Sequence, residues 1–271
     1  MDVFTPDSTQ LECRLTDRVY VITLNRPEAR NALSPDLTRN LRAAIAFAAR
    51  AEQVGALLIT AAGNAFCAGG DVKAMGQRES GSIPSLEEQF QEMRVRHHEI
   101  SGALYRMRKP TIAALPGPAA GAGMALALAC DLRIAADTAF LSTAYARIGL
   151  SGDYGIAWLL TRVVGPGRAR ELMLTAERIS APTAEKIGLV NRVTAAEALQ
   201  LEAMELARRL ASGPSVAYAY MKDNLDEALV VDHATAIDQE ADRLLKSRST
   251  NDHKEAVRAF AEKREPVFTG R

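Results

Sequence analysis

The sequence carries no surplus of either charge. Its 33 Lys and Arg balance 33 Asp and Glu across 271 residues. That excludes a nucleic-acid partner held by phosphate neutralisation, which needs a basic excess. Cysteine is scarce. Cys13, Cys67 and Cys130 are odd in number and show no CxxC spacing, so no disulfide framework is expected and a reducing compartment fits. Long apolar runs are missing as well. The longest stretch without a charge, Pro110 to Cys130, is interrupted by three prolines and three glycines, which argues against a membrane-spanning helix. The first residues, Met-Asp-Val-Phe-Thr-Pro-Asp, hold no apolar run. Neither a signal nor a transit peptide is expected, and the cytoplasm is the expected compartment. With 48% hydrophobic and 24% charged residues, the composition is that of a globular chain rather than a disordered one.

What is present alternates between strand and helix. Leu11–Leu15 and Val19–Leu24 alternate apolar and polar residues around Thr16-Asp17, the pattern of a hairpin. Ser34-Pro35 predicts a helix start, with Ser34 as N-cap and Pro35 at the first helical position. Leu37, Leu41, Ala44, Ile45 and Ala48 follow at helical spacing. Short apolar runs at 56–60, 111–115 and 132–135 read as buried strands. A polar, Gly/Ser-rich segment over 77–84 reads as a mobile surface loop, and 86–107 as one long helix. The fold class that follows is α/β. Beyond about Glu197 only helical patterns remain. The expected organisation is a core over 1–197 and a helical region over 198–271.

Two small-residue loops follow strands: Gly63 to Asp71, and Pro116 to Gly123 opening a helix. Neither matches a Walker motif, and Gly121-Ala122-Gly123 only faintly resembles a dinucleotide loop. Close packing of helix on strand is one reading. The other is chemical. Small side chains let backbone N–H groups approach a ligand, and a helix N-terminus leaves such groups unsatisfied. Two loops that each aim one N–H at a single oxygen form an oxyanion hole, suited to an enolate or a tetrahedral oxyanion.

The residues resemble the crotonase (enoyl-CoA hydratase/isomerase) superfamily over nearly the whole chain. The resemblance rests on Asn25-Arg26-Pro27-Glu28-Ala29-Arg30-Asn31-Ala32-Leu33, Ala65-Phe66-Cys67-Ala68-Gly69-Gly70-Asp71-Val72-Lys73 and Lys109-Pro110-Thr111-Ile112-Ala113-Ala114. It continues through Gly121-Ala122-Gly123, Cys130-Asp131-Leu132-Arg133-Ile134-Ala135, Ile148-Gly149-Leu150, 184–190 and 255–264, in the family's order. It implies a spiral of ββα turns followed by a helical trimerisation region, and trimers that often pair into hexamers. The implied ligand is an acyl-CoA thioester. No metal and no resident cofactor are implied, since coenzyme A is part of the substrate. The family's oxyanion donors map to the N–H groups of Ala68 and Ala122. The coenzyme A nucleotide maps near Arg26, Ala29, Arg30, Ala32, Ala68, Gly69, Gly70 and Asp71. Phe260 and Lys263 match positions that often reach the coenzyme A of a neighbouring subunit, although Phe260 also fits ordinary helix packing.

The sequence departs from the family's hydratases at their two glutamate sites, which fall on Ala125 and Tyr145. Alanine cannot transfer a proton, and a phenol titrating near about 10 is a poor base. Tyr145 and Trp158 therefore read as core or pocket wall. Cys67 reads as buried wall. Asp153 remains. Members with Asp there resemble enoyl-CoA isomerases of the ring-opening phenylacetate pathway, whose carboxylate moves a proton between two carbons; the tail Glu265 to Arg271 is similar to that subgroup. Asp153 could instead cap a helix over 154–161. His98 matches a histidine of the related 4-chlorobenzoyl-CoA dehalogenases, in which an Asp–His pair runs covalent hydrolysis. His233 and His253 read as surface residues. Hydratase activity and a catalytically silent acyl-CoA-binding protein are the alternatives to isomerase.

Overall fold

In the computed structural model, residues 3–71 and 85–271 are described. The segment 77–84, read above as a surface loop, lies outside them. Strands β1 (Leu11–Thr16) and β2 (Val19–Leu24) form the expected antiparallel hairpin. Helix α1 (Pro35–Arg50) begins as predicted: Ser34 Oγ accepts the Leu37 N–H at 3.0 Å. Lys109 ends it, its ammonium donating to the Ala48 and Ala51 carbonyls at 2.7 and 2.6 Å. Those are helix-end acceptors that would otherwise be unsatisfied.

Strands β3 (Ala56–Ala61), β4 (Thr111–Leu115), β6 (Leu132–Ala136) and β9 (Arg192–Thr194) continue the sheet in parallel, in the order β1-β2-β3-β4-β6-β9. β3 and β4 are buried along their whole length, which explains why they read as continuous apolar runs rather than alternations.

A second, smaller layer holds β5 (Ala119–Ala120), β7 (Phe140–Ser142) and β8 (Ile179–Ser180). Single parallel bridges, Leu33 to Gly70 and Cys67 to Ala119, extend it through the glycine loops. Each turn of chain thus contributes a strand to the large sheet, a short stretch to the small layer and a helix. This is the ββα spiral the resemblance implied.

The expected helix over 86–107 is two helices. α2 (Leu86–Glu99) ends where Ile100 turns inward, fully buried with φ −106° and ψ −87°, and α3 (Ser101–Tyr105) follows. α2 has no buried residue of its own, so Ile100 and Leu104 anchor this stretch to the core and break its axis. α4 (Ala122–Leu128) is buried throughout. α5 (Ile156–Thr175) bends at Gly165-Pro166, where Gly165 has φ 77°. α6 (Ala181–Lys186) precedes β9.

Four helices close the chain: α7 (Leu199–Ala211), α8 (Ser215–Glu227), α9 (His233–Arg248) and α10 (Asn251–Glu262). α7 lies on β2, β3, β4 and β6, and buries Leu199, Ala203, Ala207 and Ala211 at i,i+4 spacing. The three later helices bury little. Among the described residues, no helix is long and apolar enough to cross a membrane.

Two of the family-like motifs prove to be internal clasps. The Asp131 carboxylate accepts the Thr111 N–H and hydroxyl at 2.8 and 3.0 Å and pairs with Lys222 at 2.8 Å, tying the starts of β4 and β6 to α8. Arg133 is buried and donates to the Leu189 and Cys130 carbonyls.

The tightest backbone contacts sit where the two glycine loops meet. A Cβ on Gly123 would lie 2.2 Å from the Cys67 carbonyl oxygen, and one on Gly117 2.0 Å from the Asn64 carbonyl oxygen. We expect Gly123→Ala to cost about 3 kcal/mol, at the upper end of overpacking penalties, in equilibrium urea unfolding. Gly167→Ala, with open space around its Cβ, is the control and should change the midpoint little. Equal midpoints for the two variants would refute this contact as a constraint.

Candidate active site

The first loop is held by Asn31, which is fully buried at φ 55°. Its side-chain oxygen accepts the Arg26 N–H at 2.7 Å, and its amide donates to the Ala62 and Ala65 carbonyls at 3.0 and 2.8 Å. Arg26 reaches across to Asp71, Nη1 to Oδ2 at 2.7 Å, and also donates to the Ala32 carbonyl at 3.3 Å. The Ala68 N–H donates to the Arg30 carbonyl at 3.0 Å, and the Leu33 N–H to that of Gly69 at 2.8 Å. The structure therefore gathers Arg26, Arg30, Ala32 and the Ala68 to Asp71 segment around one edge, with Ala29 in the turn between them. Asn31, the residue that fixes this edge, stood inside a quoted motif but was given no role by sequence reasoning. An Asn at a left-handed position was the available signal.

These bonds correct one assignment. The Ala68 N–H is already taken by Arg30, so it is not free to hold a thioester oxygen. Gly69, at φ 96°, turns the chain between Ala68 and Gly70, so the two amides do not share a direction. The Gly70 N–H meets no acceptor among the described residues. It is the amide this segment can offer.

The second loop supplies the other. Ala122 opens α4, so its N–H has no acceptor within the helix. Gly69 packs directly against it: a Cβ there would lie 3.3 Å from the Ala122 nitrogen and 2.9 Å from the Ala120 carbonyl oxygen. The Ala120 N–H also donates to the Cys67 carbonyl at 2.9 Å. The two loops are thus locked edge to edge, each with an amide that meets no acceptor among the described residues.

Asp153 reaches this place through Tyr145. The Tyr145 hydroxyl donates to Asp153 Oδ1. The Tyr145 ring lies 3.8 Å from the position of a Cβ on Gly121, the residue before Ala122. Burial lifts the Asp153 carboxyl above its ordinary range; the Tyr145 hydrogen bond and the nearby Arg96 charge work against that lift. Tyr145 is buried, and desolvation, with the Asp153 charge beside it, pushes its phenol well above the ordinary value. Tyr145 is therefore a neutral donor. The helix-cap alternative for Asp153 is not what the structure shows. α5 begins at Ile156 after Gly155 in a left-handed turn, with no side-chain cap, and Asp153 contributes only its carbonyl to the Ile156 N–H.

Cys67 is fully buried, and desolvation pushes its thiol up to about 12, which suits a wall and not a nucleophile. His98 is exposed and lines a cavity together with Tyr154, Gly155 and Trp158. Its neighbour His97 sits closer. The His97 ring packs on Tyr154, centroids 4.2 Å apart, and burial, reinforced by Arg96 and His98, lowers it to about 4. Sequence reasoning assigned His97 no role. Phe260 (86% exposed) and Lys263 lie on and just past α10, and both project into solvent. Within one chain they do not join the amide pair.

Comparison with known proteins follows the same lines. The enoyl-CoA hydratase/isomerase family model matches residues 14–271. The chain is 36% identical over 253 residues to 1,2-epoxyphenylacetyl-CoA isomerase of Escherichia coli, covering 93% of this chain and 95% of that one. It is 34% identical over 248 residues to the short-chain-enoyl-CoA hydratase of Clostridium acetobutylicum, covering 91% and 92%. The solved structure of an enoyl-CoA hydratase from a Polaromonas species superposes with a TM-score of 0.87 at 33% identity, covering 96% of this chain and 99% of that one.

A raised carboxyl pKa has a stability consequence. The folded state holds the Asp153 proton more tightly than the unfolded chain does. Ionised Asp153 therefore costs stability at neutral pH, and the cost disappears as pH falls below the unfolded value of about 3.9. We expect Asp153→Asn, which keeps an acceptor for Tyr145, to melt higher than the parent at pH 7, with the gap closing toward pH 4. A lower melting temperature at pH 7 would contradict the assignment. A matching family model, relatives above 30% identity along nearly the whole length and a shared fold converge with the site: the chain belongs to the enoyl-CoA hydratase/isomerase family of the crotonase superfamily, and is an enzyme.

Proposed function

We propose that the chain moves the double bond of an enoyl-CoA thioester from the 3 to the 2 position, with Asp153 as the single proton shuttle. The observation that supports the reading is the Asp153 carboxyl, lifted by burial and held on one oxygen by Tyr145, whose ring packs near Gly121, the residue before the Ala122 amide. The thioester oxygen accepts from the Gly70 and Ala122 N–H groups. Asp153 removes a proton from C2, and the electron pair spreads onto the thioester oxygen and, through the C3–C4 double bond, onto C4. The two amides stabilise that dienolate. The same carboxyl then returns the proton to C4, so no proton is gained or lost overall. Desolvation makes Asp153 a stronger base than an exposed carboxylate. The coenzyme A moiety lies along Arg26, Ala29, Arg30, Ala32 and the Ala68 to Asp71 edge.

The reading extends to assembly. α8, α9 and the turn between them leave Met221, Leu225, Leu229, Val230, Ile237, Leu244 and Leu245 exposed in a single chain. A homotrimer, or a hexamer of two trimers, would cover that face and bring Phe260 and Lys263 to a neighbour's coenzyme A.

Hydration is the second reading, favoured by the hydratase named among the relatives. Against it, the two family glutamate sites hold Ala125, fully buried, and Tyr145, bound to Asp153. Water addition needs one group for the water and one for the α-carbon, and neither of those two positions supplies a carboxyl.

Asp153→Asn should retain acyl-CoA binding and lose isomerisation of a 3-enoyl-CoA by roughly 10³-fold. Turnover within a few-fold of the parent would remove Asp153 from the mechanism. Tyr145→Phe deletes the bond that holds the Asp153 pKa down. Its kcat should fall roughly tenfold, and the acid limb of its kcat/KM profile should move to higher pH. An acid limb that stays put would detach Tyr145 from the base. Crotonyl-CoA should keep its conjugated thioester absorbance in the presence of the enzyme; rapid loss would favour the hydratase.

A further inference from the structure

Helix α2 is nearly detached from the core. It buries no residue fully, and only Gln89, Arg96 and His97 along it are half-buried. The last two meet the turn that carries the acid. The His97 ring rests on Tyr154, centroids 4.2 Å apart. Tyr154 is buried and directly follows Asp153. That contact brings Arg96, one residue earlier on α2, to the same turn.

Arg96 is poorly paired where it stands. Its Nε is buried and meets no hydrogen-bond partner among the described residues. Its ion pair there is loose: Glu92, one helical turn back, lies 3.9 Å from Nη1 and is itself exposed. A guanidinium half-sunk in protein with an unsatisfied N–H costs stability. Packing alone gives no reason to keep it.

The acid supplies one. Burial favours the neutral carboxyl, and a neutral carboxyl cannot take a proton from carbon. The titratable groups that bear on Asp153 are otherwise uncharged. Tyr145 donates a hydrogen bond but is a neutral phenol. Cys67, in the first loop, is a fully buried thiol pushed up to about 12, and Tyr154 is a buried phenol pushed up to about 12. The His97 imidazole, lowered to about 4, is neutral above that pH, and His98 beyond it is exposed. Arg96 is the cation of this group. Its charge opposes the burial of the Asp153 carboxyl and of the Tyr154 phenol alike.

We propose that Arg96 is a positioning residue for the proton shuttle: its guanidinium, brought to the Tyr154 turn by the His97 contact, holds the Asp153 carboxyl in its charged, proton-accepting form. This deepens, and rests on, the reading of Asp153 as the base. Tyr145 fixes one carboxyl oxygen, and Arg96 supplies the charge that a phenol cannot.

The test pairs kinetics with melting on the full-length protein. Because α2 buries no residue fully, the fold should tolerate Arg96→Gln. That variant should move the acid limb of the kcat/KM profile for a 3-enoyl-CoA to higher pH by about one pH unit, with KM within a few-fold of the parent. Arg96→Lys keeps the charge and should return the limb most of the way. Glu92→Gln removes the exposed partner on the same helix and should leave the limb in place. Melting at pH 7 reads the coupling without substrate. Asp153→Asn should raise the melting temperature more in the Arg96→Gln background than in the parent, since the carboxylate costs more once its cation is gone. An unmoved acid limb, or melting shifts that simply add, would overturn the role of Arg96 and leave the isomerase reading standing. A parent that does not isomerise 3-enoyl-CoA thioesters would overturn both.

Discussion

The whole site depends on how closely two backbone segments approach. Gly69 lies against the Ala120 carbonyl and the Ala122 nitrogen, and Gly123 lies against the Cys67 carbonyl. No side chain larger than hydrogen fits at either point without moving the main chain. The cross-bond from Ala120 to Cys67 closes the contact. Because the segments are locked, the two amides left over, at Gly70 and Ala122, are fixed relative to each other before any ligand arrives. Donors that need no rearrangement stabilise a developing oxyanion far better than donors that must be organised during the reaction. The glycines are thus less about flexibility than about rigid proximity.

The acid is built by a different device. Asp153 stands in a non-helical turn after Tyr145 and before α5, and one partner orients it. Burial raises its proton affinity, while the phenol keeps one oxygen occupied. In the proposed reaction, the other oxygen is the base. Burial also leaves an ionised group that weakens the fold at neutral pH, as expected when an active site stores unfavourable solvation. Tyr145 occupies a place where the family's hydratases carry a glutamate. Here it serves the remaining acid instead of acting as a second one.

Much of this was legible from residues alone. The hairpin, the Ser34 cap, the buried parallel strands and the helical C-terminal region follow local rules of alternation, capping and period. Asp153 stood out because chemistry demanded an acid and the usual positions lacked one. The failures have a common cause. Ala68 and Gly70 are both small residues in one loop, and only the hydrogen bond from Ala68 to Arg30 distinguishes a taken amide from a free one. The break at Ile100 reflects a buried side chain overriding a continuous helical pattern. The roles of Asn31 and His97 depend on partners distant in sequence, Ala62, Ala65 and Tyr154. Asp131 and Arg133 read as part of a family motif, and the structure shows them holding strands and helices together rather than touching the site.

The central claim is that one carboxyl carries a proton between two carbons of the same substrate. The direct measurement is isotope tracing with a 3-enoyl-CoA deuterated at C2, run in ordinary water and read by mass spectrometry and NMR at low conversion. The account predicts a 2-enoyl product with deuterium at C4, because the carboxyl that takes the deuteron from C2 is the one that delivers it to C4. A 3-hydroxyacyl product, or a 2-enoyl product with no deuterium at C4 even at the earliest times, would contradict it.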